Sequence, residues 1–318
     1  MKAFITGGSG FIGSHLTDRL INENCKVTIF DNFSTGNKKF LEQSAPSKNL
    51  NIIHGDILDY GILNDSIKDH DIVFHLSANA DVRFGLEAPK KDLEQNTIGT
   101  SNVLEAMRIN NIKKIVFSST GSVYGDCREI PTSESCPFPV QTSLYASSKL
   151  AGEALISSYC YGYDFQSWIF RFVSILGERY SHGHVFDFYK QLKEHPDQLN
   201  VLGNGHQKKS YLYIDDCIDA ILLSIEKSED KINLYNLGTD EFCEVRDSIK
   251  WICNELSLKP KLNFTGGERG WIGDNPFIFL DTKKITSLGW KPKLNIENSI
   301  IKTVQYLDQN NWIFQSRK

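Results

Sequence analysis

The chain has 318 residues, 40% of them hydrophobic and 23% charged, with a formal net charge of −4. This length suits one large domain or two moderate ones with ample core, and the slight acidity gives no reason to expect nucleic acid or an anionic membrane as partner. No apolar run is long enough to span a bilayer, the opening MKAFI has no signal-peptide pattern, and the seven scattered cysteines form no C-x-x-C pair, so a cytoplasmic protein with reduced thiols and no metal site is expected.

Along the chain, short apolar runs alternate with longer amphipathic stretches. The runs KAFIT (2–6), KVTIF (26–30), NIIHGD (51–56), DIVFHLS (71–77), KKIVFSS (113–119) and SWIFRF (167–172) read as strands. Between them SHLTDRLINE, GTSNVLEAMRIN and SLYASSKLAGEALISSYC read as helices. Strand and helix alternating at this spacing predict an α/β fold, a doubly wound parallel sheet with helices on both faces. After about residue 175 the pattern changes. HVFDFYKQLKE reads as a helix, QLNVLGNGHQKKSYLYIDD as loop and strand, IDDCIDAILLSIEK as a helix and NLYNLG as a further strand. Residues 1–174 are therefore assigned to the sheet domain, with 207–238 returning to it. Residues 175–206 and 239–318 form a smaller mixed α/β C-terminal lobe for substrate, and a cleft between the lobes is the expected ligand site.

The stretch TGGSGFIGSH (6–15) follows the first strand and opens the first helix. Gly7, Gly10 and Gly13 have the G-x-x-G-x-x-G spacing of a Rossmann-type turn. The first glycine permits the tight turn, the second lets a pyrophosphate approach, and the third lets the helix pack on the sheet. The helix N-terminus offers N–H groups and a positive dipole end to that phosphate. Asp31 ends the second strand, where an acid holds adenosine ribose hydroxyls; its charge repels a 2′-phosphate and so favours NAD over NADP. Asp56 and Ile57 end the third strand near the expected adenine edge. HLSANADV (75–82) ends the fourth, beside the pyrophosphate and nicotinamide ribose.

SLYASSKLAGE places Tyr145 and Lys149 four apart, on one face of a helix. A tyrosine ordinarily loses its proton near pH ~10. A neighbouring ammonium favours the phenolate, and a cationic nicotinamide ring adds to this; Lys149 can also bind the nicotinamide ribose. The fifth strand, KIVFSSTGSVYGD, delivers Ser118, Ser119 and Thr120 to the end of the sheet where that helix passes. A hydroxyl there bridges substrate oxygen and tyrosine, completing an acid–base relay for hydride transfer.

Taken together, T-G-x-x-G-x-x-G, the D-N at 31–32, N-x-x-G-T at 96–100, S-S-T-G-S-V-Y-G at 118–125 and Y-A-S-S-K at 145–149 resemble the extended short-chain dehydrogenase/reductases. Within these the chain is most similar to nucleotide-sugar 4-epimerases of the UDP-galactose 4-epimerase type, and GGERGWIGDNP and LGWKP extend the likeness to essentially the whole chain. The resemblance implies Thr120, Tyr145 and Lys149 as catalytic triad. It implies NAD held by Gly7, Gly10, Phe11, Ile12, Asp31, Asn32, Ser34, Asp56, Ile57, Leu76, Ser77, Ala78, Asn96, Ser118, Tyr145, Lys149 and Phe172. Substrate contacts are implied at Val82, Thr120, Ser174, Val185, Lys209 and Arg269. Relatives that dehydrate the sugar carry Asp-Glu directly after the threonine, and those that decarboxylate uronic acids carry a glutamate two positions after it. Here the positions hold Gly121 and Ser122. This implies transient oxidation to a 4-keto sugar and re-reduction on the other face, with the cofactor retained.

By the same likeness Arg269 clamps the diphosphate, a geometry that suits a guanidinium fork. Lys209 stands where many relatives have another arginine, and Ser174 where asparagine is usual, so sugar specificity does not transfer. His182 and His184 read as loop histidines near the nucleotide, with Val185 and Phe186 beside the base. Ile278 falls near the position that limits bulk at the sugar's second carbon, and being smaller than tyrosine it leaves room for an N-acetyl group. The expected partner is a UDP-sugar, and a homodimer is implied through a four-helix contact. Two other readings stand beside this one. The first is another enzyme on the same scaffold: a 2-epimerase, a uronic acid 4-epimerase or a one-way 4-ketoreductase. The second is a non-catalytic NAD-binding regulatory protein, which retention of both Tyr145 and Lys149 speaks against.

Overall fold

β1 (Lys2–Thr6) buries four consecutive residues, which a strand does only when both faces of its sheet are covered. A computed structural model of the chain describes residues 1–79, 87–138, 140–270, 275 and 277–316; the implied contact at Val82 lies outside them. After β1 come α1 (Phe11–Asn22), β2 (Lys26–Asp31), β3 (Leu50–His54), α2 (Tyr60–Ser66) and β4 (Ile72–His75). They are followed by α3 (Gly99–Ile109), β5 (Lys114–Thr120), α4 (Leu144–Tyr163) and β6 (Gln166–Phe172). The ladders joining β3, β2, β1, β4 and β5 are all parallel, with Ile5 level with Ile29 and Phe74. Side chains alternate between two buried faces. Phe4, Phe30, Val73, Ile115 and Phe117 share a core with Val103, Leu104 and Met107 of α3 and Ile156 and Cys160 of α4. Their neighbours Ile5, Ile29, Phe74 and Val116 are equally buried.

The chain continues through β7 (Ser174–Leu176), α5 (His184–Glu194), β8 (Gln198–Val201), β9 (Lys208–Lys209), β10 (Tyr211–Tyr213), α6 (Ile214–Lys227) and β11 (Ile232–Leu237). β11 lies beside β6 and completes the seven-stranded order β11–β6–β5–β4–β1–β2–β3, the Rossmann-type arrangement expected. Trp168 of β6 donates its indole N–H to the Ser224 carbonyl of α6 at 3.1 Å, which seats the returning helix on the sheet.

The chain divides into two compact units, one of residues 1–123, 143–171 and 221–235 and the other of 124–142, 172–220 and 236–318. The second adds β12 (Cys243–Glu244), α7 (Val245–Glu255), β13 (Lys261–Phe264), β14 (Phe277–Ile278) and α8 (Ile296–Gln309). Its strands make small sheets, β10 with β7, β13 with β8, and β9 between β12 and β14. Its helices α5, α7 and α8 pack on one another through buried Tyr189, Leu192, Ile249, Ile252, Ile300 and Val304. Among the described residues no helix is long and apolar enough to cross a membrane, and no cluster of three His, Cys, Asp or Glu is placed to hold a metal.

Candidate active site

The glycine turn is built by close approach. Gly7 has φ +72°, and a Cβ on it would stand 2.8 Å from the Ser77 nitrogen; a Cβ on Gly13 would stand 2.2 Å from the Gly7 carbonyl oxygen. The Gly10 N–H donates to the Gly7 carbonyl at 3.1 Å. Gly10 caps α1 without a side-chain bond, and no acid occupies the first turn, so the positive end of the helix suits an anion. Phe11 is buried there and Ile12 half-buried. The Ser9 hydroxyl in the same turn is buried without a hydrogen-bond partner, a polar atom the chain itself does not satisfy. These features fit a dinucleotide pyrophosphate.

The ends of β2 and β3 meet beside the turn. The Asp31 carboxylate accepts the Ser9 N–H at 2.9 Å and the Phe33 N–H at 2.8 Å. The Asn32 amide donates to Asp56 at 2.8 Å and its oxygen accepts the Ser34 N–H. Asp56 also accepts the Leu58 N–H, and buried Ile57 is fixed by Asn102 donating to its carbonyl. Five of the residues implied for NAD thus form one cluster at the carboxyl ends of two strands.

At the end of β4, His75 is buried between the Thr6 and Thr100 hydroxyls, 2.7 and 2.9 Å away. Burial, aided by the Lys149 charge, holds it down to about 3. It is therefore a neutral structural imidazole. Leu76, Ser77 and Ala78 follow it half-buried. Asn96, in a short π-helical stretch leading into α3, accepts the Asn79 N–H at 2.8 Å and donates to the Ser148 hydroxyl at 2.9 Å. It ties the loop after β4 to the helix that carries Tyr145 and Lys149.

Thr120 is the last residue of β5, and its hydroxyl accepts the Ser122 N–H at 3.1 Å. Ser118 donates to the His75 carbonyl at 3.4 Å. Ser143 caps α4 by accepting the Ala146 N–H, which starts the helix one residue before Tyr145. The structure brings the three catalytic candidates together: the Thr120 side chain stands close enough to the Tyr145 phenol to favour its ionisation, and Lys149 lies one turn further along the same helix. Burial pushes the phenol up to about 12, against the Thr120 side chain and with the Asp92 charge. Lys149 is enclosed, its Nζ 4.4 Å from the centre of the Phe117 ring, and burial pulls it down to about 7 against the Glu153 charge. Lys149 is enclosed and Tyr145 half-buried, and loss of water favours the neutral form of each.

Sequence reading missed the support beneath this trio. Glu153, one turn beyond Lys149, accepts the Ser119 hydroxyl and a fork from Arg171, Nε at 3.0 Å and Nη2 at 2.7 Å. All three are buried. The pair locks β5, β6 and α4 beside Thr120. The signal was present in the continued four-residue spacing Tyr145, Lys149, Glu153 and in an arginine inside the apolar run SWIFRF. Phe172, implied for NAD, closes β6 and is buried.

In the second unit, Ser174 begins β7 exposed. The Lys209 ammonium donates to the Asn275 carbonyl at 2.9 Å, and Ile278 is its register partner across β9 and β14. Arg269 pairs with Asp126 at 2.8 Å, both side chains well exposed. Val185 is fully enclosed and Phe186 stacks on Phe314 with ring centres 4.6 Å apart. His184 is not a loop histidine: it begins α5 and bonds the Tyr211 and Ser248 hydroxyls. Burial first, then the Lys209 charge, lowers it to about 3. The loop residue His182 stacks on Tyr180.

Comparison with known proteins gives this geometry its place. Residues 3–238 match the model of the NAD dependent epimerase/dehydratase family. A Methanocaldococcus jannaschii protein, named provisionally a UDP-glucose 4-epimerase, is 34% identical over 96% of this chain and 98% of its own. A crystal structure of UDP-galactose 4-epimerase is 32% identical with a TM-score of 0.89, covering 98% of this chain and all of that one. The dTDP-D-glucose 4,6-dehydratase of Mus musculus is 29% identical over 98% of this chain and 90% of its own. With its Rossmann-type sheet, glycine turn and Thr–Tyr–Lys constellation, the chain belongs to the NAD dependent epimerase/dehydratase family of extended short-chain dehydrogenase/reductases.

Proposed function

We propose that this chain is an NAD-dependent nucleotide-sugar 4-epimerase acting on a UDP-hexose. The observation that carries this reading is the pairing of Thr120 with Tyr145 while the two positions after Thr120 are Gly121 and Ser122. A tyrosine relay suffices for oxidation and reduction at one carbon, whereas elimination of water or loss of a carboxylate needs further acid and base groups. Similarity to both 4-epimerases and a dehydratase frames the choice, and these positions favour epimerisation.

NAD is held with its pyrophosphate on the Gly7–Gly13 turn, its adenosine ribose on Asp31 and its nicotinamide ribose on Lys149. When bound, it supplies a hydride acceptor and donor and a positive charge. Thr120 aligns the sugar 4-hydroxyl, and Tyr145 takes its proton and later returns it. In the chain alone Tyr145 is a neutral phenol with pKa about 12, so the phenolate forms only with added positive charge nearby. Lys149, with pKa about 7, exchanges a proton readily at neutral pH and so serves the relay as well as the ribose. Arg269 and Lys209 hold the diphosphate, and Ile278 beside Lys209 leaves room for an N-acetyl group. The protein acts in the cytoplasm as a homodimer through α3 and α4, a reading supported by the exposed Leu144 and Tyr161 of α4.

The test is incubation with UDP-, GDP-, CDP- and dTDP-sugars without added NAD or NADH, followed by NMR of the products. The expected product is the C4 epimer of a UDP-hexose, with UDP-N-acetylglucosamine also turned over. A 6-deoxy-4-keto sugar, carbon dioxide release or net NADH would contradict the proposal.

A further inference from the structure

Cys127 and Cys136 lie in the segment between the end of β5 and the start of α4. None of the seven cysteines is in a disulfide, yet the Sγ atoms of these two stand 2.7 Å apart. That is well inside the ~3.5 Å at which even carbon atoms meet, and only a short movement from the ~2.05 Å of an S–S bond. The backbone between them is firmly held. Thr132 donates its N–H to the Phe279 carbonyl and accepts the Asp281 N–H, each at 2.8 Å. Its hydroxyl donates to the Glu129 carbonyl at 2.7 Å, and the Cys136 N–H donates to the Ser133 carbonyl. The sulfurs are thus presented to each other by a braced loop. Their exposure differs usefully: Cys127 is half-buried while the other six cysteines are buried.

We infer that Cys127 and Cys136 form a thiol-modification site, which small-molecule disulfides convert to an intramolecular disulfide without disturbing the fold. The Cys127 thiolate attacks one sulfur of the disulfide RSSR, its S–S bond breaks, and one thiol RSH leaves with the proton. The Cys136 thiolate then attacks the Cys127 sulfur of the mixed disulfide and expels the second RSH. Two cysteine thiols are oxidised by two electrons and RSSR is reduced to two RSH. The new bond closes a short loop and removes freedom mainly from the unfolded chain. The inference does not depend on the proposed reaction.

The probe is glutathione disulfide added to the full chain at pH 8, followed by alkylation, peptide mapping by mass spectrometry and a thermal melt. The expected result is a cross-link between the Cys127 and Cys136 peptides, the other five cysteines alkylated, and a melting temperature raised by roughly 5 °C. Dithiothreitol reverses both changes, and Cys127→Ser and Cys136→Ser each abolish them. Glutathione left on Cys127 without a cross-link, no loss of thiols, or a cross-linked chain melting no higher than the reduced one would overturn the inference. Because the cross-link is read in the unaltered chain, a serine variant that fails to fold does not decide the matter.

Discussion

Arg171 and Arg269 each donate to a carboxylate, at 2.7 and 2.8 Å, but in opposite surroundings. Arg171 and Glu153 expose 3% and 7% of their side chains, whereas Arg269 and Asp126 expose 42% and 48%. The first pair belongs to the unit that carries Thr120, Tyr145 and Lys149; the second belongs to the unit that carries the candidate diphosphate residues. A buried pair cannot be half removed cheaply, because the surviving charge is left desolvated. A surface pair contributes little to stability and exchanges its partner readily. The candidate catalytic residues therefore stand on a buried charged base, while the candidate anion clamp pairs with a carboxylate that a phosphate can replace.

The sharpest way to break this comparison is Tyr145→Phe. It removes one hydroxyl from the first unit and nothing else, so kcat should fall about 10³-fold, within the range of acid–base catalysis, while melting temperature and NAD affinity hold. Appreciable activity in a folded Tyr145→Phe chain would move the relay elsewhere. Next, Glu153→Gln strands the Arg171 charge and should cost ~3–5 kcal/mol of stability, read by denaturant unfolding. Arg269→Ala should cost under ~1 kcal/mol of stability yet raise KM for the nucleotide sugar at least ~10-fold, the loss of a fork on a phosphate. If the two arginine sites respond alike in stability, the contrast between the units fails.

A last variant separates the role of Lys149 from its burden on the fold. Its pKa falls from an ordinary 10.5 to about 7 on folding. Between these values the unfolded chain binds the proton and the folded chain does not, so stability rises with pH across the window. Below pH ~7 both states carry the proton and the desolvation cost is felt in full. Lys149→Met should melt a few degrees higher at pH 7, lose the rise between pH 7 and 9, and be inactive. A flat wild-type profile would show that the ammonium is better solvated than its enclosure indicates.

The doubly wound sheet was legible because both of its signals are local: apolar runs of strand length, and a glycine spacing that only close packing requires. Tyr145 and Lys149 were legible as a four-residue helical spacing, and Thr120 because it ends a strand beside them. Asp31 and Asp56 were found from their places at strand ends. The support of the site was harder to read. Asn96 joins two segments through Ser148 and Asn79, and Glu153 meets Ser119 and Arg171 across three elements. Such partners are fixed by tertiary packing, which spacing along the chain records only in part: it hints at Glu153 but not at what Glu153 meets. The burial of the relay is hidden from the sequence for a related reason. Spacing puts an ammonium near a phenol, but only the structure shows that Lys149 is enclosed and Tyr145 half-buried. In the second unit the short strands β9, β12 and β14 have two residues each, too few to leave a periodic trace.

On the proposed function, Tyr145 moves a proton while a hydride leaves and returns to one sugar carbon. This is tested most directly by incubating the UDP-hexose substrate carrying deuterium at C4 with the full chain in ordinary water, without added cofactor. The inverted sugar should keep its deuterium at C4, with no net NADH. Loss of the label to solvent, or its appearance at another carbon, would contradict it.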